Sequence, residues 1–413
     1  MFNKRIKGHH RGKFGKPIMT DEKEFENFLN TQPEDENAIL YFHIPFCDNI
    51  CSFCNLNRSK LDGELEEYTE FLINSIKHYA RFPYIKGKNF KSIYFGGGTP
   101  TILKESQLER VLTAINTNFH IDKNAEFSSE STLHNLNLNK LKLMQNLGIN
   151  RYSIGIQTFS NKGRKLLNRV GDKNSAIKKL SQIKQNFSGL VCTDIIYNYP
   201  NQSLEEVVED AKILKNLEID SSSFYSLQFH EGSAFLKQND PNYYRLETDK
   251  MLHNAFLEEM LKGDYEVLEY TKINKINRDR YLYIRLSHKG VDILPIGIGA
   301  GGRLGNYSIF NMKKDIKMIS KTNEVALKFA QFSALFQYEN INLNIIKSYL
   351  DDETFEKEFK FFKECENFGY LKIDEGCLKF NIDGIFWGNT IASKAIDLAN
   401  EYFLKIYENK GKI

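Results

Sequence analysis

Six short runs rich in β-branched and aromatic residues recur between residues 39 and 229, and a longer amphipathic stretch separates each from the next. They are ILYFH (39–43), SIYF (92–95), AEFSS (125–129), RYSIGI (151–156), LVCTDIIY (190–197) and SSFYSLQF (222–229). The intervening GELEEYTEFLINSIKHYARF and SLEEVVEDAKILKNL space their apolar residues for one buried helical face. Strand and helix in alternation leave few folds open. Parallel strands cannot be joined by a tight turn, and a helix supplies the crossover. The expected class is α/β, with chemistry at the C-terminal ends of the strands. Ser203 with Glu206, and Ser106 with Glu109, have the spacing of helix capping boxes.

The ends of the chain differ from this middle. Residues 1–17 are polar and basic and read as a mobile tail, with 1–37 a lead-in to a core over 38–312. After 312, NEVALKFAQFSALFQ, NLNIIKSYL and ETFEKEFKFFKECENFG read as helices, and YLKIDEGCLKFN as a hairpin turning at Glu375-Gly376. Helices followed by a hairpin give 313–413 the look of a winged helix. That segment carries many acidic residues and no basic recognition face, and net charge is only +3, so nucleic acid is not an expected partner. Trp387, the one tryptophan, reads as a core anchor. No run of about 18 apolar residues is present, so no membrane span is expected. The basic N-terminus lacks the apolar stretch of a secretory signal. A cytoplasmic protein with reduced thiols is the expectation.

Three of the six cysteines fall at Cys47, Cys51 and Cys54, spaced C-x3-C-x2-C. In a reducing compartment they read as metal ligands or catalytic thiols. Structural zinc wants four closed ligands, and Cys192, Cys365 and Cys377 are distant. Three thiolates suit three irons of a [4Fe–4S] cube with the fourth iron open to chemistry. Other motifs also follow strands. YFGGGTP (94–100) places Gly96, Gly97, Gly98 and Thr99 where backbone can approach a ligand closely. Gln157 ends a strand, with Arg169 twelve residues on. Asp194 sits inside an apolar strand, where an acid needs a partner or a ligand. Cys192 reads as a small core residue.

Taken together, these motifs resemble the radical S-adenosylmethionine (SAM) enzymes, in the branch of the oxygen-independent coproporphyrinogen III oxidase. The resemblance covers roughly residues 38–310. It implies a partial (β/α)6 barrel, a [4Fe–4S] cluster on Cys47, Cys51 and Cys54, and SAM on the open iron, with two SAM molecules as an option. By position it implies SAM contacts from Tyr41, Gly96, Gly97, Gly98, Thr99, Glu130, Gln157, Arg169 and Asp194, with Glu126 as the alternative to Glu130. Asn198 replaces the glycine usual after DIIY, and Asn tolerates the left-handed turn better than most residues.

Within that branch the chain departs from the coproporphyrinogen oxidase, because Leu56 stands where that enzyme has a fourth cysteine. The heme chaperone's His-Asn pair is absent from NRDRYLYIRLSHKG. PIGIGAGGRLGNYSIFN (295–311) and GIFWGNTIA resemble the anaerobic heme-degrading radical SAM methyltransferases. That resemblance implies methylation and opening of heme to a linear tetrapyrrole with iron release. A low-potential donor such as flavodoxin or ferredoxin would supply electrons. The aromatic run Phe224, Tyr225 and Phe229 and the rim cations Arg278, Arg280, Arg285 and Arg303 suit a flat disc with two propionates. His230 and then His288 are the candidate heme ligands, with Gly299 and Gly301 in the glycine-rich segment beside them. His43 supports the cysteine loop, and His9 and His10 sit in the tail.

Overall fold

The computed structural model describes residues 1–8, 17–54, 64–231 and 233–410, with backbone only at 59–60 and 410. The six runs become β1 (Asn37–Ile44), β2 (Asn89–Gly97), β3 (Ile121–Ser131), β4 (Arg151–Gln157), β5 (Leu190–Tyr197) and β6 (Ser221–Ser226). They are adjacent in chain order and every neighbouring pair is parallel. Helices α1 (Leu65–Tyr79), α2 (Glu105–Asn118), α3 (Leu138–Asn146), α4 (Lys173–Asn186) and α5 (Leu204–Asn216) return the chain between them. α1 shows why: Leu65, Tyr68, Leu72, Ile76 and Tyr79 bury one stripe, acidic Glu66 and Glu67 open the helix, and Lys77 and His78 close it.

The Ser203 capping box forms as expected, with Glu206 N–H donating to Ser203 Oγ and Ser203 N–H donating to Glu206 Oε2. The Ser106–Glu109 box does not form. The N-cap is Lys104, two residues earlier, and Gln107 reaches back to accept from the Lys104 N–H at 2.9 Å.

The sheet is wider than the six runs suggest. Beyond β6 and α6 (Leu246–Leu261) it gains the antiparallel pair β7 (Tyr265–Glu269) and β8 (Lys272–Lys275). A short helix, α7 (Leu282–His288), then packs against β1 and β2. On the other edge β9 (Asp292–Ile296) is a seventh parallel strand, beside β1. Antiparallel β10 (Gly301–Leu304), β11 (Tyr307–Lys313) and β12 (Ile316–Lys321) follow. The large sheet therefore continues past residue 312 to Lys321.

The N-terminus departs from a mobile tail in its described part. Arg5 donates to Asp249 Oδ2, Tyr197 Oη and Phe386 O, each at 2.9 Å. Phe2 packs 5.3 Å from the Trp387 ring, and Lys7 donates to Leu227 O at 3.0 Å. Charges that look solvated in sequence find buried acceptors far along the chain. Ile18–Met19 then pairs with β12, and Glu22–Leu29 is helical. His9 and His10 lie outside the described residues.

The C-terminal part combines α8 (Glu324–Leu335), α9 (Asp352–Asn367) and the long α10 (Ile382–Lys410) with a three-stranded sheet. Its strands are β13 (Asn340–Asn342), β14 (Leu371–Asp374) and β15 (Cys377–Phe380). Glu375 and Gly376 both take positive φ, +49° and +73°, as a two-residue hairpin turn requires. Trp387 is a buried anchor against Phe2, Tyr370 and Phe386. Among the described residues no helix is long and apolar enough to cross a membrane.

Candidate active site

Side chains alternate along a strand, so each parallel strand sends every second residue inward. At the C-terminal ends those inward residues line one cavity of about 630 Å³. β1 contributes Tyr41, β2 Tyr94, β3 Glu130, β4 Arg151 and Ser153, β5 Asp194, and β6 Ser223 and Tyr225. The loop after β1 adds Phe53 and Cys54, and the segment after β6 adds Gln228 and His230. Tyr283 of α7 closes a side. Its ring stacks 4.5 Å from Tyr94 and 5.8 Å from Tyr41.

The cysteine loop is held from two directions. On one side runs the glycine strip: Gly98 N–H donates to Ile44 O at 2.7 Å and Thr99 N–H to Phe46 O at 2.9 Å. Gly97 has φ +113°, and a Cβ on Gly98 would stand 2.5 Å from Phe46 O and 2.9 Å from Cys47 Sγ. Only glycine allows that approach. Thr99 Oγ1 lies 3.6 Å from Cys47 Sγ. On the other side the turn after the helix Asn161–Leu166 stitches down the loop. Ser52 Oγ donates to Leu166 O, and the Asn168 amide donates to Ile50 O. Asn168 takes φ +53° to redirect the chain, which brings Arg169 back so that its Nη1 donates to Cys51 Sγ at 2.8 Å. Arg169 also donates to Gly155 O.

The structure brings together most of the expected SAM contacts. Glu130 accepts from Tyr94 Oη at 2.8 Å and from Gly97 N–H at 3.2 Å, and burial pushes its carboxyl up to about 7. Glu126, the alternative, instead accepts from Leu282 N–H at 3.1 Å and so caps α7 outside the cavity. Gln157 ends β4 at a register shift with φ +65°, nearly buried, and its Oε1 has no hydrogen-bond partner. Arg169 Nε is likewise unpartnered. Asp194 is half-buried and accepts from Ser153 Oγ at 3.4 Å. Asn198 does adopt the left-handed turn, φ +59°. Gly96 lies between the Tyr41 and Tyr94 rings. His43, expected to support the cysteine loop, has Tyr41 Oη 2.9 Å from its Nδ1.

Several expected substrate contacts are elsewhere. Arg278 pairs with Asp220 at 2.8 Å and Arg280 donates to Asn124 O at 2.8 Å, both near the N-terminal ends of the strands. The chain from β8 to α7 passes beneath the cavity, which carries them to the wrong end. Arg303 is taken up by Gly290 O and Gly305 O, beside Asp292 at 3.5 Å. His288 lies 3.0 Å from Tyr338 Oη and 3.9 Å from Glu269. Arg303 and His288 both face a second cavity of about 350 Å³ behind α7, walled from the first by Tyr225, Tyr281 and Ile284. Gly299 packs against the His43 ring with φ +89°, and Gly301 pairs with Phe310 in the antiparallel extension. Of the two candidate histidines only His230 lines the first cavity, where burial lowers its pKa.

Sequence reasoning missed Tyr283, Arg151 and Lys272. Arg151 had a readable signal: it shares the face of β4 with Ser153, Gly155 and Gln157 by the two-residue period. Tyr283 and Lys272 had none, because they arrive from outside the six runs.

Three free thiols on one loop, a glycine cradle a Cβ would fill, and the orphaned Gln157 and Arg169 atoms beside them fit a cluster and a polar cofactor. Among the described residues no three Cys, His, Asp or Glu side chains close on a single point. Leu56 lies outside the described residues.

Residues 41–214 match the radical SAM superfamily. The chain is 24% identical over 388 residues to the anaerobilin synthase of Escherichia coli O157:H7, covering 91% of this chain and 87% of that one. It is 28% identical over 376 residues to the heme chaperone HemW of Buchnera aphidicola subsp. Schizaphis graminum, covering 86% and 95%. Its fold is that of the coproporphyrinogen III oxidase HemN from Escherichia coli, with a TM-score of 0.77 at 20% identity over 92% of this chain and 94% of that one.

Proposed function

Because residues 41–214 are a radical SAM domain, which implies a [4Fe–4S] cluster and SAM, we propose that the protein degrades heme anaerobically, methylating and opening the ring and releasing the iron. The observation that carries a flat substrate is the cavity wall. Tyr41, Tyr94, Tyr225, Tyr281 and Tyr283 line one space at the cysteine loop. Aromatic faces suit a planar apolar ring system. Synthesis is disfavoured by Leu56 in place of a fourth cysteine and carriage by the absent His-Asn pair, while the glycine-rich segment 295–311 and the similarity to anaerobilin synthase favour ring opening.

In this reading Cys47, Cys51 and Cys54 would hold the cluster. The strip Gly96–Thr99, with Tyr41, Glu130, Gln157, Arg169 and Asp194, would hold SAM. When bound, the pair supplies a carbon-centred radical on delivery of an electron, from a donor such as flavodoxin or ferredoxin. The chain's own residues do the positioning. The left-handed Gln157 turns its amide at the end of β4. Arg169 ties β4 to the Cys51 thiol. The stacked tyrosines exclude water from the reacting space, and Glu130, titrating near neutrality, is placed to give or take a proton beside the Gly97 N–H.

The test is one anaerobic turnover of cluster-reconstituted protein with heme, SAM and a strong reductant, read by absorbance and mass. Loss of heme absorbance that requires SAM and reductant, with a methylated linear tetrapyrrole, is expected. Heme left intact refutes the proposal. Intact heme bound stoichiometrically and passed to an acceptor would mark a carrier.

A further inference from the structure

Arg278, Arg280 and Arg303, expected at the rim for carboxylates, all lie outside the cavity, yet two other cations stand on its floor. Arg151 and Lys272 line the cavity and are only 1% and 2% exposed. Asp279 accepts from Arg151 Nε at 3.1 Å and Nη2 at 2.9 Å, while Arg151 Nη1 has no hydrogen-bond partner. Lys272 Nζ donates to Ser223 Oγ at 3.2 Å and lies 4.6 Å from the Tyr281 ring centre. The Arg151 guanidinium stands 5.2 Å from the same ring. Tyr281 itself takes φ +48°, a conformation that a bulky residue adopts only where its surroundings impose it. Both cations lie against its ring, where the floor meets the wall.

An ammonium has three donors, and Lys272 spends one on a neutral hydroxyl. A buried cation is costly unless an anion compensates it. Asp279 answers Arg151 from beneath the floor, Glu126 sits at the foot of α7, and Asp194 and Glu130 stand on the walls. Among the described residues no ion pair joins Lys272 to a carboxylate; Asp279 meets its charge from beneath, and buried Glu269 is its cross-strand neighbour. Arg151 Nη1, buried and without a partner, and the Lys272 ammonium together place positive charge at the inner end of the cavity, below an aromatic slot.

We propose that Arg151 and Lys272 form a carboxylate-binding floor that takes one acidic arm of the substrate, a propionate in a tetrapyrrole. The planar ring stacks above it on the tyrosine wall. The arm then fixes which edge of the ring faces the cysteine loop, so the floor sets regiochemistry as well as affinity. This rests on the tetrapyrrole reading given above. The carboxylate of SAM is the other source of the same chemistry, and the test separates the two.

The experiment titrates heme and heme dimethyl ester into cluster-reconstituted wild type, Lys272→Met and Lys272→Arg, and measures SAM affinity of each. Wild type is expected to prefer the diacid by about 10- to 100-fold, the range for hydrogen bonds to a charged group. Lys272→Met is expected to lose most of that preference by weakening the acid alone, with SAM affinity and melting temperature held. Lys272→Arg is expected to restore part of it. Equal binding of acid and ester by wild type overturns the floor, and ring opening under those conditions leaves the tetrapyrrole reading standing. A preference that survives in Lys272→Met, or a loss that falls on SAM instead, also overturns it. If wild type binds neither compound, the floor and the tetrapyrrole reading fall together.

Discussion

Replacing Asp279 by Asn tests whether the floor of the barrel is held by charge. Asp279 is 5% exposed and accepts from Arg151 Nε and Nη2, Ser221 Oγ at 2.6 Å and Tyr281 N–H at 3.0 Å. The Arg151 guanidinium holds its carboxyl well below the usual carboxylate range against the pull of burial. The amide keeps the shape and removes the charge, leaving Arg151 buried beside Lys272 with no counter-ion beneath it. Breaking a buried pair from one side costs about 3–5 kcal/mol. At about 2 °C per kcal/mol for a large domain, the melting temperature should fall by roughly 5–10 °C. Because the pair is buried, the loss should persist in high salt. The sign with pH also follows. A depressed carboxylate gives stability above its unfolded pKa and loses it as pH falls through the folded one, so the gap between wild type and variant should be constant from about pH 5 upward. Thermal scans of cluster-reconstituted protein at two salt concentrations measure it. The double change Arg151→Met with Asp279→Leu should recover much of the loss, since an apolar pair needs no compensation. A shift under about 2 °C, or a double variant less stable than Asp279→Asn, refutes the account.

Four further outcomes follow from the site and its surroundings. Cys51→Ala should lose the brown colour and most of the iron, and full iron content in that variant refutes the ligand set. Gly98→Ala puts a methyl against Phe46 O and Cys47 Sγ, so iron retention after reconstitution should drop while the secondary structure seen by circular dichroism holds. Glu130 titrates near 7; its raised folded pKa means stability is present below the unfolded value and is lost as pH rises through 7, so Glu130→Gln should flatten the melting temperature between about pH 5 and 8. Glu358 is fully buried, neither carboxyl oxygen has a partner, and burial pushes its pKa up to about 9. Glu358→Met should therefore raise the melting temperature, and more at pH 8 than at pH 5, with an equal or lower value counting against it.

Much of the barrel was legible because period-two apolar runs carry their own register. All six runs became strands, and the motifs at their ends gathered at one mouth. Asn198 and the Glu375-Gly376 turn were readable from backbone preference alone. What failed was whatever depends on distant partners. Arg5 looks like part of a solvated tail until Asp249, Tyr197 and Phe386 surround it. Arg278 and Arg280 sit in the right stretch of sequence but at the wrong end of the strands, and linear proximity to a glycine-rich segment carries no sense of direction. Choosing Glu130 over Glu126 needed the register of β3, since both face the same side by alternation and only depth along the strand separates them. β9 was hidden because its pairing with β1 joins residues from opposite ends of the core.

The N-terminal strap also sets an order of assembly. Arg5 and the Phe386 carbonyl it reaches are separated by 381 residues. At about 5–20 residues per second of synthesis, Arg5 is made roughly 20–80 s before that partner. The residues that anchor beside Leu227 at the rim of the cavity therefore stay bonded to water while the barrel is produced. A fusion or deletion at this end is expected to act late, on the finished mouth, and to spare the sheet.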